Sequence, residues 1–221
     1  MGENTQKQDF IEVEYTGFLT DGLVFDTTDA TVAQKHNLSG DEKKFGSMII
    51  CVGERQILPG LEAKLVGKEV GKEYKITLPP EEAFGRREVQ KIKIIPLDTF
   101  KEHKLQPYPG LQVNVDGEVG IVTRVTGGRI MINFNHPLAG KEVIYEVKIK
   151  RKITDPAEKL KSYLETSFRM PKDTIKVEAK DTILEATLPL ELPVQVVKVL
   201  EQKLTELIMS AVKIITLEKK K

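Results

Sequence analysis

The chain has 221 residues, 34 of them basic and 33 acidic, with 40% hydrophobic. That is enough for one large domain or roughly two to three small ones. A formal net charge of +1 excludes nucleic-acid binding through an overall positive field, and the single cysteine, Cys51, excludes an intramolecular disulfide framework or a multi-cysteine metal site.

The polar start MGENTQKQDF carries no apolar signal segment, and no apolar run approaches the ~18 residues that span a bilayer, so a cytoplasmic protein with no membrane partner is expected. FIEVEYTGFL at 10–19 alternates, with Ile11, Val13 and Tyr15 on one face, which predicts a half-buried strand. Thr20-Asp21-Gly22 predicts a turn and LVFDTT a second strand. Residues 29–47, with Asn37, Gly40 and Gly46, predict a long loop with one helical turn at ATVAQKH. SMIICV predicts a third, buried strand, in which Cys51 is expected to be packed and inert. A short helix from about Pro59 to Val66 follows, then a strand at KEYKITLP. That helix is too short to be stable alone, so Leu61 and Leu65, one turn apart, must press against a sheet.

After Ala83-Phe84-Gly85, QKIKIIPLDTF leads into the proline-rich LQPYPG. Three short strands, LQVNV, EVGIVTRV and RIMINF, are then separated by the hairpin turns Asp116-Gly117 and Gly127-Gly128. NHPLAG precedes a long alternating strand, KEVIYEVKIKR. Asp155, Pro156 and Glu158 form a helix-start pattern with a capping box, and the helix is expected to reach about Phe168. Two strands, TIKVEAK and TILEATLP, lead to a helix whose Val197, Leu200, Leu204, Leu207 and Ile208 make one apolar face, expected to pack on its own sheet. VKIITLE closes the pattern before a basic end, Lys219 to Lys221, expected to be solvated.

Several chemistries are missing. Six residues separate Gly60 from Gly67 and Glu69 stands where a phosphate loop needs Ser or Thr, so nucleotide binding is not expected. No G-x-S-x-G or H-E-x-x-H occurs. The histidines, His36, His103 and His136, are scattered, so neither a metal nor another cofactor is expected.

VFDTTD at 24–29, VGERQILPGLEAKLVGKEVGKE at 52–73 and PPEEAFG at 79–85 together resemble the FKBP-type peptidyl-prolyl cis–trans isomerases. FNHPLAGKEV at 134–143 is similar to the segment that re-enters the fold in the SlyD-like branch, where an insert-in-flap domain interrupts the flap. The α-β-β-α-β tail is similar in layout to long archaeal members. The resemblance implies an α+β fold in which a bent antiparallel sheet wraps around a short helix. It divides the chain into a discontinuous isomerase domain at 1–86 and 134–152, a β-rich insert at 87–133 and a C-terminal α/β domain at 153–221.

It also implies a pocket. Tyr15, Phe25, Asp26, Ile57, Leu58 and Phe84 are the expected catalytic residues, with the Leu58 N–H holding a substrate carbonyl. Met48, Leu61, Leu138 and Tyr145 complete the substrate walls. Asp26 is expected either to pair with Tyr15 or to anchor a turn with Thr28, and Asn135-His136-Pro137 to shape a turn without proton transfer. In the insert, Tyr108, Leu111 and Ile132 are candidates either for binding unfolded chains or for that unit's core. The implied partners are unfolded or partly folded proline-containing polypeptides, with the C-terminal domain a candidate for dimerisation. The competing expectation is a holdase with a vestigial pocket, since Leu61 and Phe84 stand where Trp and Tyr are common in the family.

Overall fold

The computed structural model describes residues 2–38, 45–102, 104–171 and 173–216; Gly40, His103 and the Lys219–Lys221 end lie outside them. Two compact units result, Met1–Leu78 with Glu142–Lys221, and Pro79–Lys141. Among the described residues no helix is long and apolar enough to cross a membrane.

The first unit is organised by β1 (Phe10–Leu19) and β9 (Val143–Lys152), antiparallel along most of their length. The other edge of β1 takes two short strands in succession: β3 (Met48–Cys51) along Phe10–Val13 and β2 (Val24–Thr27) along Thr16–Phe18. β4 (Glu73–Leu78) completes the sheet beside β9. The expected turn in 29–47 is α1 (Ala30–Lys35), capped by the Asp29 side chain, which accepts from Thr31 and Val32 N–H. α2 (Pro59–Leu65) has proline at its start and packs against β4, with Leu61 and Leu65 buried. Its far end is latched by Thr5, whose hydroxyl donates to the Leu65 and Lys68 carbonyls and whose own carbonyl accepts from Gly67 N at 2.8 Å. These contacts occupy carbonyls that a two-turn helix cannot satisfy by itself.

The tail forms α4 (Pro156–Ser167), β10 (Lys176–Lys180), β11 (Ile183–Leu188), α5 (Val194–Ile208) and β12 (Ala211–Thr216), with β11 and β12 parallel and α5 as their crossover. Asp155 caps α4 by accepting from Glu158 N at 2.8 Å. The reciprocal half of a capping box does not form there, because both Glu158 carboxylate oxygens receive Arg151. Leu204 and Ile208 of α5 are buried with Val197, Leu200 and Leu207 packed beside them, so that apolar face meets its own sheet. Val194, Val196 and Val199 remain exposed. The core beneath α4 and α5 also contains Phe10, Cys51 and Ile153, so the tail and the first sheet share one apolar interior.

The second unit is a sheet in the order β5 (Ile92–Pro96), β8 (Arg129–Asn133), β7 (Glu118–Thr126), β6 (Gln112–Val115), with α3 (Leu97–Glu102) supplying Phe100 to its core. Both hairpin turns have positive φ at each central residue, +53° and +86° at Asp116-Gly117, +57° and +75° at Gly127-Gly128. β5 and α3 go beyond the three strands predicted. β5 ends in Pro96 and lies at the sheet edge, where a missing N–H is tolerated.

A shared interior makes a direct prediction. Leu160→Ala, in the centre of α4, is expected to cost about 3 kcal/mol, and hydrogen exchange should show β1 and β11 amides losing protection together. Loss confined to β11 would contradict a common core.

Candidate active site

On β1, Tyr15 and Gly17 face the same side, and Gly17 lies opposite Tyr145 on β9 and Asp26 on β2. The next pair on β2 is Phe18 with Val24, so the register shifts by one residue at Phe25. This is a β-bulge, and it lets two consecutive residues serve one face. The Phe25 ring meets Tyr145 edge-on at 5.6 Å and 87°, while the Asp26 carboxylate accepts the Tyr15 hydroxyl. Tyr15 and Tyr145 make a second edge contact at 5.7 Å. Thr28 does not anchor Asp26; its hydroxyl accepts from Tyr15 N at 2.9 Å, and its N–H donates to the Tyr15 carbonyl.

Gly17 escaped the sequence reading. A Cβ there would stand 2.8 Å from Phe25 Cζ and 3.0 Å from Tyr145 Cε1, so the cluster rests on bare backbone. The available signal was a glycine inside an alternating strand, which marks close approach of another group.

Burial raises the pKa of both Tyr15 and Tyr145, with the nearby Asp26 charge adding to it, so their hydroxyls stay neutral. Burial also pushes the Asp26 carboxyl above its ordinary 3.8, against hydrogen bonds from Tyr15 and the Thr27 backbone that favour the ion. Burial pushes the Cys51 thiol up to about 12, so it is held as the thiol.

Ile57 and Leu58 are half-buried where the chain enters α2. The Leu58 carbonyl accepts from Glu62 N at 3.0 Å, whereas among the described residues its N–H has no acceptor. Leu61 is fully buried, and Met48 is half-buried opposite Val13.

Phe84 and Leu138 belong to the second unit. There the Phe84 ring stacks on His136 at 4.6 Å and 1°, and His136 Nδ1 accepts from Leu138 N at 3.1 Å, a turn held by local bonds. In the insert, Ile132 is 0% exposed and packs with Val122 and Ile130, which favours the second of its two expected roles, a place in that unit's core. Leu111 is partly buried against that core, and Tyr108 is 59% exposed. The sheet's other face carries apolar residues that the reading missed: Ile94, 59% exposed and paired with Met131, and Val119 and Ile121 on β7.

The family profile described as FKBP-type peptidyl-prolyl cis-trans isomerase matches residues 2–101, and that of the FKBP26 IF domain matches 93–138. A short-type peptidyl-prolyl cis-trans isomerase of Methanocaldococcus jannaschii is 31% identical over 145 residues, 66% of this chain and 92% of that one. The chain belongs to the FKBP-type peptidyl-prolyl cis–trans isomerases. The FKBP-type isomerase SlyD of Treponema pallidum, 28% identical over 66% of this chain and 77% of its own, marks this isomerase as SlyD-like. Among solved structures, the three FKBP domains of wheat FKBP73 align at TM-score 0.36 and 20% identity over 69% of this isomerase and 42% of that chain.

Because the folded-state pKa of Asp26 is raised, its contribution to stability is greatest below 3.8 and is lost as pH rises through the raised value. The denaturation midpoint of the isomerase relative to Asp26→Asn is therefore expected to fall as pH rises above 3.8, the ordinary carboxyl value, through the raised one. A difference independent of pH would place the carboxyl in water.

Proposed function

We propose that this isomerase accelerates proline-limited folding of unfolded or partly folded polypeptides, holding the prolyl ring among Tyr15, Phe25 and Tyr145 and the client chain on its insert. In this reading the isomerase domain comprises 1–86 and 134–152, the chaperone insert 87–133 and a supporting tail 153–221. The observation that carries it is the aromatic cluster over Gly17, joined to Asp26 through Tyr15, in a member of this family.

The chemistry asks little of acids and bases. Trans and cis X–Pro bonds differ by only about 0.5–1 kcal/mol, and the barrier of about 18–20 kcal/mol comes from amide resonance. No covalent bond breaks, so catalysis requires only that the twisted amide be favoured over the planar one. A planar amide is the more polar form, and an apolar slot disfavours it; about 4 kcal/mol of such preference supplies roughly a thousandfold. Asp26 orients Tyr15, and the acceptor-free Leu58 N–H orients the peptide through its carbonyl. Phe84 and Leu138, in the other unit, carry a substrate-binding role by resemblance alone.

The insert would act by raising the local concentration of client. The exposed apolar face bearing Ile94, Met131, Ile121 and Val119, with Tyr108, suits unfolded segments better than buried Ile132 does.

In a prolyl tetrapeptide assay, Tyr15→Ala and Phe84→Ala are expected to slow turnover about tenfold or more with the fold retained; unchanged turnover would reject these assignments. Deleting residues 88–132 is expected to reduce acceleration of proline-limited refolding at least about tenfold while tetrapeptide turnover changes little. Equal loss of both would contradict divided labour.

A further inference from the structure

The segment from β3 to α2 is held from two sides. Gly53 and Arg55 have φ of +102° and +56°, and at Arg55, which is not glycine, this left-handed conformation needs support. From within, Glu62 of α2, 5% exposed, accepts from Arg55 N at 3.2 Å. From the tail, the Tyr163 hydroxyl of α4 donates to Glu54 Oε2 at 2.8 Å, and Lys203 of α5 pairs with the same oxygen. The Gln56 amide donates to Ser167 Oγ at 3.2 Å and the Tyr163 carbonyl at 3.4 Å, while its own oxygen accepts from Cys51 N at 2.7 Å. Thr166 adds a bond to the Ile49 carbonyl on β3 at 3.2 Å. The Glu54 side chain is only 16% exposed while Lys203 is 47% exposed, so the loop-side carboxylate is held more by Tyr163 and burial than by a screened ion pair.

The residues that follow Gln56 are Ile57 and Leu58. We propose that the C-terminal segment is a positioning element for the prolyl pocket, setting through Tyr163, Ser167 and Lys203 the loop that presents the Leu58 N–H. This rests on the isomerase reading of Leu58. Peptide turnover then depends on tail contacts that never touch the peptide, and any partner of α4 or α5 would act on turnover through Glu54 and Gln56. The tail's sheet supplies an internal control, because Lys213 pairs with Glu185 on β11, away from this loop.

The test is prolyl tetrapeptide turnover by the full chain, with thermal stability measured in parallel. Glu54→Ala and Tyr163→Phe are expected to lower kcat/KM about fivefold, mostly through KM, as expected when a binding group is misplaced. Glu54→Gln keeps an acceptor for Tyr163 and should restore most of the loss, and Lys213→Ala should leave kcat/KM unchanged. Wild-type kcat/KM in Glu54→Ala, or an equal loss in Lys213→Ala, would overturn the proposal. The Leu58 amide resonance gives a readout independent of turnover. If the wild type itself fails to turn over peptide, the isomerase reading fails, and a Leu58 resonance unmoved by Tyr163→Phe overturns the coupling as well.

Discussion

Gly17 has no side chain, and the rest of the site depends on that. Two rings, Phe25 from β2 and Tyr145 from β9, close over its backbone from opposite sides, 2.8 Å and 3.0 Å from where a Cβ would stand. The bulge at Phe25 follows from the same constraint. Without it, Phe25 and Asp26 would point to opposite faces of the sheet, and either the ring or the carboxylate would leave the cluster. With it, the carboxylate reaches the Tyr15 hydroxyl, and burial keeps both tyrosines neutral.

Such a site matches a reaction in which an amide turns and no bond is made or broken. A polar, hydrated cleft would stabilise the planar amide, whereas rings on bare backbone keep water out. In the proposed reading, directionality comes from a few polar atoms at the edge: Asp26 through Tyr15, and the Leu58 N–H beside α2. The short helix that carries this edge is held by borrowed contacts, Thr5 at its end and the Gly53–Gln56 loop at its start. Most of the ion pairs elsewhere on the surface are exposed, such as Lys75 with Glu146, and add little to this arrangement.

Much of this was legible in the chain itself. Alternation gave β1 and β9, the Asp-Gly and Gly-Gly pairs gave the insert's hairpins, and Asp155-Pro156 gave the start of α4. The family motifs gathered Tyr15, Phe25, Asp26 and Tyr145, which the structure brings together. The bulge was hidden because period-two patterning assumes an unbroken strand, and Gly17 because a glycine inside a strand signals close approach without saying which groups approach. β5 was hidden by its terminal proline, and for Ile132 the sequence holds both client contact and core open, because alternation alone does not say which face of the insert sheet is covered. The grip of the tail on Gln56, across 107 residues of sequence, is a product of tertiary packing that no local pattern encodes.

The central claim is that catalysis needs the aromatic cluster seated on bare backbone at residue 17. Exchange NMR on a short X–Pro peptide, comparing the wild type with Gly17→Ala, measures it most directly. A methyl group there overpacks the rings at a cost of about 1–3 kcal/mol, which a folded variant survives. The account predicts fast cis–trans exchange with the wild type and a rate close to the uncatalysed one with a folded Gly17→Ala. Equal exchange rates with both proteins would contradict it.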